Sequence, residues 1–302
     1  MSLDPSHAVP TPERPPDYRG LLRKHGIRPN KRLGQHFLFE AAALERVVAA
    51  AELQGDETVL EIGAGVGSLT HRLAQTARRV LAVEVDGRLI PALQEAVASC
   101  ANVEIVPGDI LDLDLGALLR EQSYQVVANI PYQITSILIR RLLEAPRPAQ
   151  RLVLTIQKEV AERVVAEVGE MSLLALSVQF YGEPRLAGSI LAGAFFPPPN
   201  VDSSILRVDI HPEPRLPREM IAPFFRIARA GFGQKRKQLR NALAGGLGLE
   251  PRTVAEWLVR AGLSPQSRAQ ELEIEDWERL VRFAGEIKGE AGGRPGSGGG
   301  AS

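Results

Sequence analysis

The chain has 302 residues and 44% apolar content, enough for one large domain and one small one, each with its own core. Its 36 Lys and Arg balance 36 Asp and Glu, so no global field favours a polyanion, and such a partner would need local patches. A single cysteine, Cys100, excludes an internal disulfide, and no apolar run approaches the ~18 residues of a membrane-spanning helix.

In chain order, residues 1–17 are polar and Pro-rich without a signal-peptide apolar core, which predicts a disordered N-terminal arm and, with the lone cysteine, a reducing, cytoplasmic setting. Arg19, Arg23, Lys24, Arg28, Lys31 and Arg32 follow with no acid among them. Thr58-Val59-Leu60 reads as a strand, Gly63-Ala64-Gly65-Val66-Gly67 as a tight loop and Leu69–Ala77 as a helix. This strand, glycine turn and helix is Rossmann-type, with glycines that let the backbone approach a nucleotide. The spacing is G-x-G-x-G, and Ser68 stands where a dinucleotide fingerprint needs Gly, so the loop fits S-adenosylmethionine better than NAD. A second run, Val80–Val83, ends in Glu84, 21 residues after Gly63, where a carboxylate can accept both ribose hydroxyls. A third, Val103–Val106, leads to Asp109, placed to accept from an adenine amine. Any one of these acids could be a solvated strand end; three successive strands ending in suitable chemistry favour the cofactor.

A fourth run, Val126-Val127-Ala128, opens into Asn129-Ile130-Pro131-Tyr132. The Asn oxygen can accept one hydrogen of a planar amine, a backbone carbonyl beside the Pro can accept the other, and the Tyr ring can stack on the base carrying it. The competing reading is an ordinary strand-end turn. Further on, Phe195-Phe196-Pro197-Pro198-Pro199 is stiff and could hold Phe195 or Phe196 opposite Tyr132 to sandwich a flipped base, or could simply be a rigid loop over a buried Phe. Prolines at 212, 214 and 217 mark a linker. Helical patterns follow at Ile221–Gly231, Lys235–Ala244, Val254–Ala261 and Asp276–Ala284. A second acid-free run holds Arg226, Arg229, Lys235, Arg236, Lys237 and Arg240; it reads as a phosphate-binding face or as a solvated helix face. The Gly-rich stretch 289–302 reads as flexible. No His, Cys, Asp or Glu group has metal-ligand spacing, so no metal is expected.

These motifs resemble the KsgA/RsmA-type small-subunit ribosomal RNA adenine dimethyltransferases from about Leu22 to Phe283. The carriers are Lys31-Arg32-Leu33-Gly34-Gln35-His36-Phe37-Leu38, the loop from Glu61 to Thr70, Glu84, Gly108-Asp109-Ile110, Asn129–Tyr132, Gln157-Lys158-Glu159-Val160-Ala161, Phe195–Ser203 and Phe232–Asn241. The resemblance implies an α/β, Rossmann-like class I methyltransferase domain over 18–210 and a small all-α, RNA-binding domain over 211–288. It implies S-adenosylmethionine as donor and two adjacent adenosines near the 3′ end of small-subunit rRNA as target, within an immature small subunit, with the enzyme a monomer and a role in subunit biogenesis. Cofactor positions are then His36, Leu38, Gly63, Gly65, Glu84, Asp109 and Asn129; target-base positions are Asn129, Tyr132 and Phe195; RNA positions are Lys235, Arg236, Lys237 and Arg240. Gln133 stands where many members carry a second aromatic. Competing readings are the antibiotic-resistance class acting on large-subunit rRNA, a DNA or protein amine methyltransferase, and a non-catalytic RNA-binding assembly factor. Arg268-Ala269-Gln270-Glu271-Leu272 and the second basic run favour the small subunit, the single Pro in the Asn motif disfavours the DNA and protein enzymes, and intact Asn129, Glu84 and Asp109 disfavour lost catalysis.

Overall fold

The computed structural model describes residues 15–119, 123–234 and 236–291. In chain order it builds α1 (Tyr18–Lys24), β1 (Phe37–Leu38), α2 (Ala41–Ala51), β2 (Thr58–Ile62), α3 (Ser68–Ala74), β3 (Arg79–Glu84), α4 (Ile90–Ala96), β4 (Val103–Pro107), α5 (Leu115–Leu118) and β5 (Tyr124–Asn129). There follow α6 (Thr135–Leu143), β6 (Arg151–Gln157), α7 (Lys158–Val164), α8 (Leu173–Tyr181), β7 (Gly182–Ile190), β8 (Phe195–Phe196) and β9 (Ser203–Ile210). Four helices close the order: α9 (Arg218–Phe232), α10 (Leu239–Leu247), α11 (Pro251–Arg260) and α12 (Ile274–Ala291). Among the described residues no helix is long and apolar enough to cross a membrane.

The chain forms two compact units. One runs up to Gln133 and takes back Ile190–Asp202; the other holds Ile134–Ser189 and the chain from Ser203 onward. The first is the Rossmann-like layer, with strand order β4-β3-β2-β5 and all pairings parallel. Every residue of β2 is buried, so its apolar residues Val59, Leu60 and Ile62 fall on both faces of the strand, and Thr58 and Glu61 are buried polar groups beside them. Parallel register brings the carboxyl ends of the strands to one edge: Ile62 lies beside Val83 and Ala128, and Glu84 beside Pro107. In open α/β sheets that edge is where ligands bind. The two-stranded β1–β8 pair is antiparallel, with Phe37 opposite Phe196 and Leu38 opposite Phe195. Around it the rings of Tyr18, Phe37 and Phe196 each stack on Phe39, with centroids 5.9, 6.0 and 6.3 Å away. These rings join Leu21, Leu22, Val66, Leu89 and Leu93 in one apolar cluster. A sequence segment far from the Rossmann core is thereby anchored by burial of aromatic surface.

The second unit carries β6 antiparallel to β9, with β7 on the far side of β9, and the four C-terminal helices. Its core gathers Phe180, Phe224, Phe225, Leu243, Trp257, Trp277 and Leu280, the Phe180 and Phe224 ring centroids lying 4.4 Å apart. Gly231 is required here: a Cβ on it would lie 2.5 Å from the Trp277 ring. The helical C-terminal region expected from sequence is present, with one difference. The pattern Lys235–Ala244 forms a helix only from Leu239; Gln238 is extended and Arg236 and Lys237 lie in the turn before it. Four cations crowded at a helix start oppose the positive end of the macrodipole, so the helix begins after most of them. The first Rossmann helix likewise stops at Ala74 rather than Ala77.

Candidate active site

The glycine loop joins β2 to α3 with Gly63, Gly65 and Gly67 at φ of +74°, +61° and +86°. Gly65 also needs its missing side chain, since a Cβ there would stand 3.1 Å from the Phe37 ring. The loop is hung on the neighbouring strand, with the N–H groups of Gly63 and Ala64 donating to the Val83 carbonyl at 2.9 and 3.1 Å. Gly63, Gly65, Glu84, Asn129, Pro131, Tyr132, His36 and Phe195 line one cavity at the strand ends, all within the first unit.

Glu84 is 4% exposed. One of its oxygens accepts the Gly65 N–H at 2.7 Å and the other the Asp86 N–H at 2.8 Å. Each oxygen keeps a second lone pair, so the carboxylate is fixed in orientation yet able to take two further donors. Burial raises its pKa, the Asp86 charge adds to that, and the two backbone donors oppose it. Glu61, at the end of β2, is more extreme. Burial pushes it up to about 8, with the Glu84 charge adding and Thr70 opposing. Glu61 Oε2 and the Thr70 hydroxyl are buried without a hydrogen-bond partner among the described residues. Asp86 behaves oppositely: the Arg88 guanidinium, bidentate on its carboxylate, holds it down at about 2, with Gln35 contributing.

The segment from Gly34 to Leu38 crosses these strand ends as a strap. The Asn129 Nδ2 donates to the His36 carbonyl at 2.9 Å. That bond orients the amide and leaves Oδ1 as an acceptor in the cavity wall. His36 Nδ1 lies 2.7 Å from the Pro197 carbonyl, which can only accept, so Nδ1 carries the hydrogen. The His36 ring stacks on Tyr132 at 6.0 Å.

Two other expected residues are placed differently. Leu38 is buried in β1 and its carbonyl accepts the Ser68 hydroxyl at 2.8 Å; Asp109 follows β4 and accepts the Leu111 N–H at 2.8 Å; neither lines the cavity. Of the two phenylalanines, Phe195 faces the cavity while Phe196 joins the aromatic cluster beneath the Arg19 guanidinium, 5.2 Å from its ring centre. Residues without an assigned role in the sequence reading also enter the wall, among them Gly34, Gln35 and Val85. Gln35 lies in the Lys31–Leu38 motif and Asp86 follows Glu84 by two residues, but hydrogen bonding across 51 positions has no sequence signature.

The two basic runs differ in space. In the first, Lys24 pairs with Glu95 at 2.6 Å and Arg23 with Asp17 at 3.6 Å, so an acid-free stretch of sequence is not acid-free in the fold. In the second, Lys235 lies outside the described residues, Arg236 and Lys237 are exposed, and Arg240 Nε is buried without a partner among the described residues. Four acids further along the chain are engaged with other groups: Glu275 and Glu278 hold Arg215, Asp276 holds Arg279, and Glu271 caps the Arg268 N–H.

Comparison with known proteins supplies an independent line. Residues 26–286 match the family described as ribosomal RNA adenine dimethylase. A protein of Dehalococcoides mccartyi named ribosomal RNA small subunit methyltransferase A is 42% identical, over 91% of this chain and 95% of its own. One of the same name from Pelotomaculum thermopropionicum is 39% identical over 87% and 94%. Among solved structures, a dimethyladenosine transferase from Plasmodium falciparum superposes with a TM-score of 0.72 at 25% identity, covering 83% of this chain and 98% of that one. The 23S rRNA methyltransferase ErmE gives 0.66 at 28%, covering 82% and 98%.

Proposed function

Because this chain belongs to the ribosomal RNA adenine dimethylase family, we propose that the strand-end cavity is where methyl donor and target adenine meet. The protein is an S-adenosylmethionine-dependent rRNA adenine N6,N6-dimethyltransferase acting on small-subunit rRNA. The observation that carries the site assignment is the Asn129 amide, pinned through Nδ2 to the His36 carbonyl beside the glycine loop and Glu84.

The residues present suit the donor. A Cβ at Gly65 would crowd Phe37 and fill the cradle, and Glu84 offers one spare lone pair on each oxygen for a ribose diol. Gly63 and His36 complete that wall; the family resemblance also assigns Leu38 and Asp109 to the donor, although neither side chain lines the cavity. Bound S-adenosylmethionine supplies a methyl group on a sulfonium. The protein's own contribution is position. Asn129 Oδ1 accepts one hydrogen of the adenine amine, and a backbone carbonyl beside Pro131 accepts the other. Together they favour a pyramidal nitrogen whose lone pair points away from the ring. Tyr132, backed by the His36 ring, takes one face of the base, and Phe195 walls the pocket. No general base is needed before transfer, since the amine carries its own lone pair.

The basic run before α10 serves the RNA backbone: Arg236 and Lys237 are exposed, and Arg240 and Lys235 extend the same stretch. Residues 18–210 are the catalytic part and 211–288 the RNA-holding part. The substrate is the immature small subunit, with two adjacent adenosines near the rRNA 3′ end as targets; the enzyme works as a cytoplasmic monomer and contributes to subunit biogenesis. ErmE's likeness keeps large-subunit rRNA as the second reading. Incubation with labelled donor and either unmodified small subunits or large subunits, followed by mass mapping of the RNA, separates the two. Dimethyladenosine confined to the large subunit would overturn the small-subunit assignment.

A further inference from the structure

In the motif run Lys31–Leu38, Gln35 carries a polar side chain that the proposed reaction does not use. Gln35 is half-buried and makes two hydrogen bonds. Its Nε2 donates to Asp86 Oδ2 at 2.9 Å, and its Oε1 accepts the Asn30 N–H at 2.8 Å. Asn30 in turn caps the following turn, accepting the Arg32 N–H on its side chain at 3.0 Å. One amide therefore closes the base of the strap and ties it to the residue just past the end of β3. At the other end of the same bonds stand the two groups that matter most to the proposed function. Asp86 donates its own N–H to Glu84. The residue after Gln35 gives the carbonyl that orients Asn129.

We infer that Gln35 is a positioning residue: its bond to Asp86 sets the height of the strap, and so the orientation of the Asn129 amide, and couples it to the seat of Glu84. The inference rests on the site assignment proposed above. A neutral amide is the suitable group at this point. It must donate to a carboxylate and accept from a backbone N–H at once, which Lys, Arg and an ionised acid cannot do. The carboxylate it grips is already immobilised by Arg88, bidentate at 2.9 and 2.6 Å, so Asp86 is a fixed post rather than a mobile surface group. The strap has other anchors in the Phe37–Phe39 aromatic cluster and in the His36–Pro197 bond. Loss of Gln35 should therefore shift the His36 carbonyl without unfolding the unit. A displacement approaching 1 Å in a group that aligns reacting atoms costs on the order of 10²-fold in rate.

Two substitutions of similar length test this. Gln35→Met removes both polar functions. Gln35→Glu keeps the acceptor for Asn30, but its carboxylate repels Asp86; when protonated, it regains the donor. Single-turnover methylation of unmodified small subunits at saturating donor and RNA is measured from pH 6 to 8, beside donor Kd and melting temperature. Gln35→Met should lower the rate tenfold to a hundredfold at every pH, with the RNA concentration dependence unchanged and a smaller loss of donor affinity. Gln35→Glu should be as slow at pH 8 and recover relative to wild type as the pH falls. Wild-type rates in Gln35→Met, or a lowered melting temperature with an unchanged rate per folded molecule, would overturn the inference. So would a Gln35→Glu defect that does not depend on pH. A wild-type protein that methylates neither subunit would instead overturn the functional assignment itself.

Discussion

The strand-end cleft and the basic segment before α10 use charge in opposite ways. In the cleft three polar groups have defined partners: Glu84 sits between two backbone donors, Asp86 between Arg88 and Gln35, and Asn129 against the His36 carbonyl. In the basic segment Arg236 and Lys237 stand exposed, with no ion pair among the described residues. The first arrangement fixes atoms; the second supplies charge density that an RNA backbone can meet in many poses. Methyl transfer gains from preorganisation, whereas phosphate binding gains chiefly from counterion release. Substitutions in the two regions should differ in kind as well as size.

The largest effect is expected at Glu61, which bears on stability. Its folded pKa, about 8, lies above its ordinary value of 4.5, first because of burial and further because of the Glu84 charge. A carboxyl raised in this sense contributes stability that is fully present below its unfolded value and lost as pH rises through its folded value, here from about 4.5 to about 8. Glu61→Gln keeps the shape and removes the ionisation. Wild type and variant should unfold at similar denaturant concentrations below pH 4.5, and by pH 9 the variant should be the more stable by several kcal/mol. Glu84, raised in the same direction, should leave the variant a shallower slope in the same window. A gap that stays constant with pH would show that Glu61 ionises as readily folded as unfolded.

Asn129→Ala comes next. Removing one preorganised polar group at the reacting centre should lower single-turnover methylation by on the order of 10²- to 10³-fold, with RNA affinity nearly intact. A rate within a few fold of wild type would assign amine orientation to another group. Glu84→Ala should weaken S-adenosylmethionine binding by about 1.5–3 kcal/mol in calorimetry, the worth of hydrogen bonds to a charged group, while RNA binding holds. Unchanged donor affinity in a folded variant would remove Glu84 from the ribose position.

Much of this cleft was legible in the sequence because it sits on strand ends. Parallel strands buried on both faces read as apolar runs, and whatever follows each run must lie along one edge, so Gly63, Glu84 and Asn129 could be aligned by counting. The strap was legible only as a motif. Its anchors, Gln35 to Asp86 and His36 to Pro197, join residues 51 and 161 positions apart, and no periodicity encodes them. Leu38 and Asp109 show the converse limit. Their positions are recognisable, yet neither side chain reaches the cavity wall, because one is buried in β1 and the other turns back onto the Leu111 N–H. Charge runs were least legible of all. Lys24 lies in an acid-free stretch of sequence and still meets Glu95, because α4 packs against α1.

The smallest effect per residue, and the one that separates the two regions most sharply, concerns the basic segment. Arg236→Ala with Lys237→Ala should weaken binding to small-subunit RNA and make its salt dependence shallower by about 0.7–0.9 in log–log slope for each phosphate left without its cation. Donor affinity and melting temperature should stay at wild-type values, since these two side chains are exposed and, among the described residues, bear no partner whose charge would be stranded. Arg240 is the informative third substitution. It lies in the first turn of α10 with its Nε buried and unbonded among the described residues, so the side chain is packed as well as charged. Arg240→Ala should therefore cost both RNA affinity and some stability, whereas Arg240→Lys should restore packing and charge but not a two-pronged grip on phosphate. Should all three substitutions lower the melting temperature and leave the salt slope unchanged, the segment is structural and the RNA-binding face lies elsewhere on the chain.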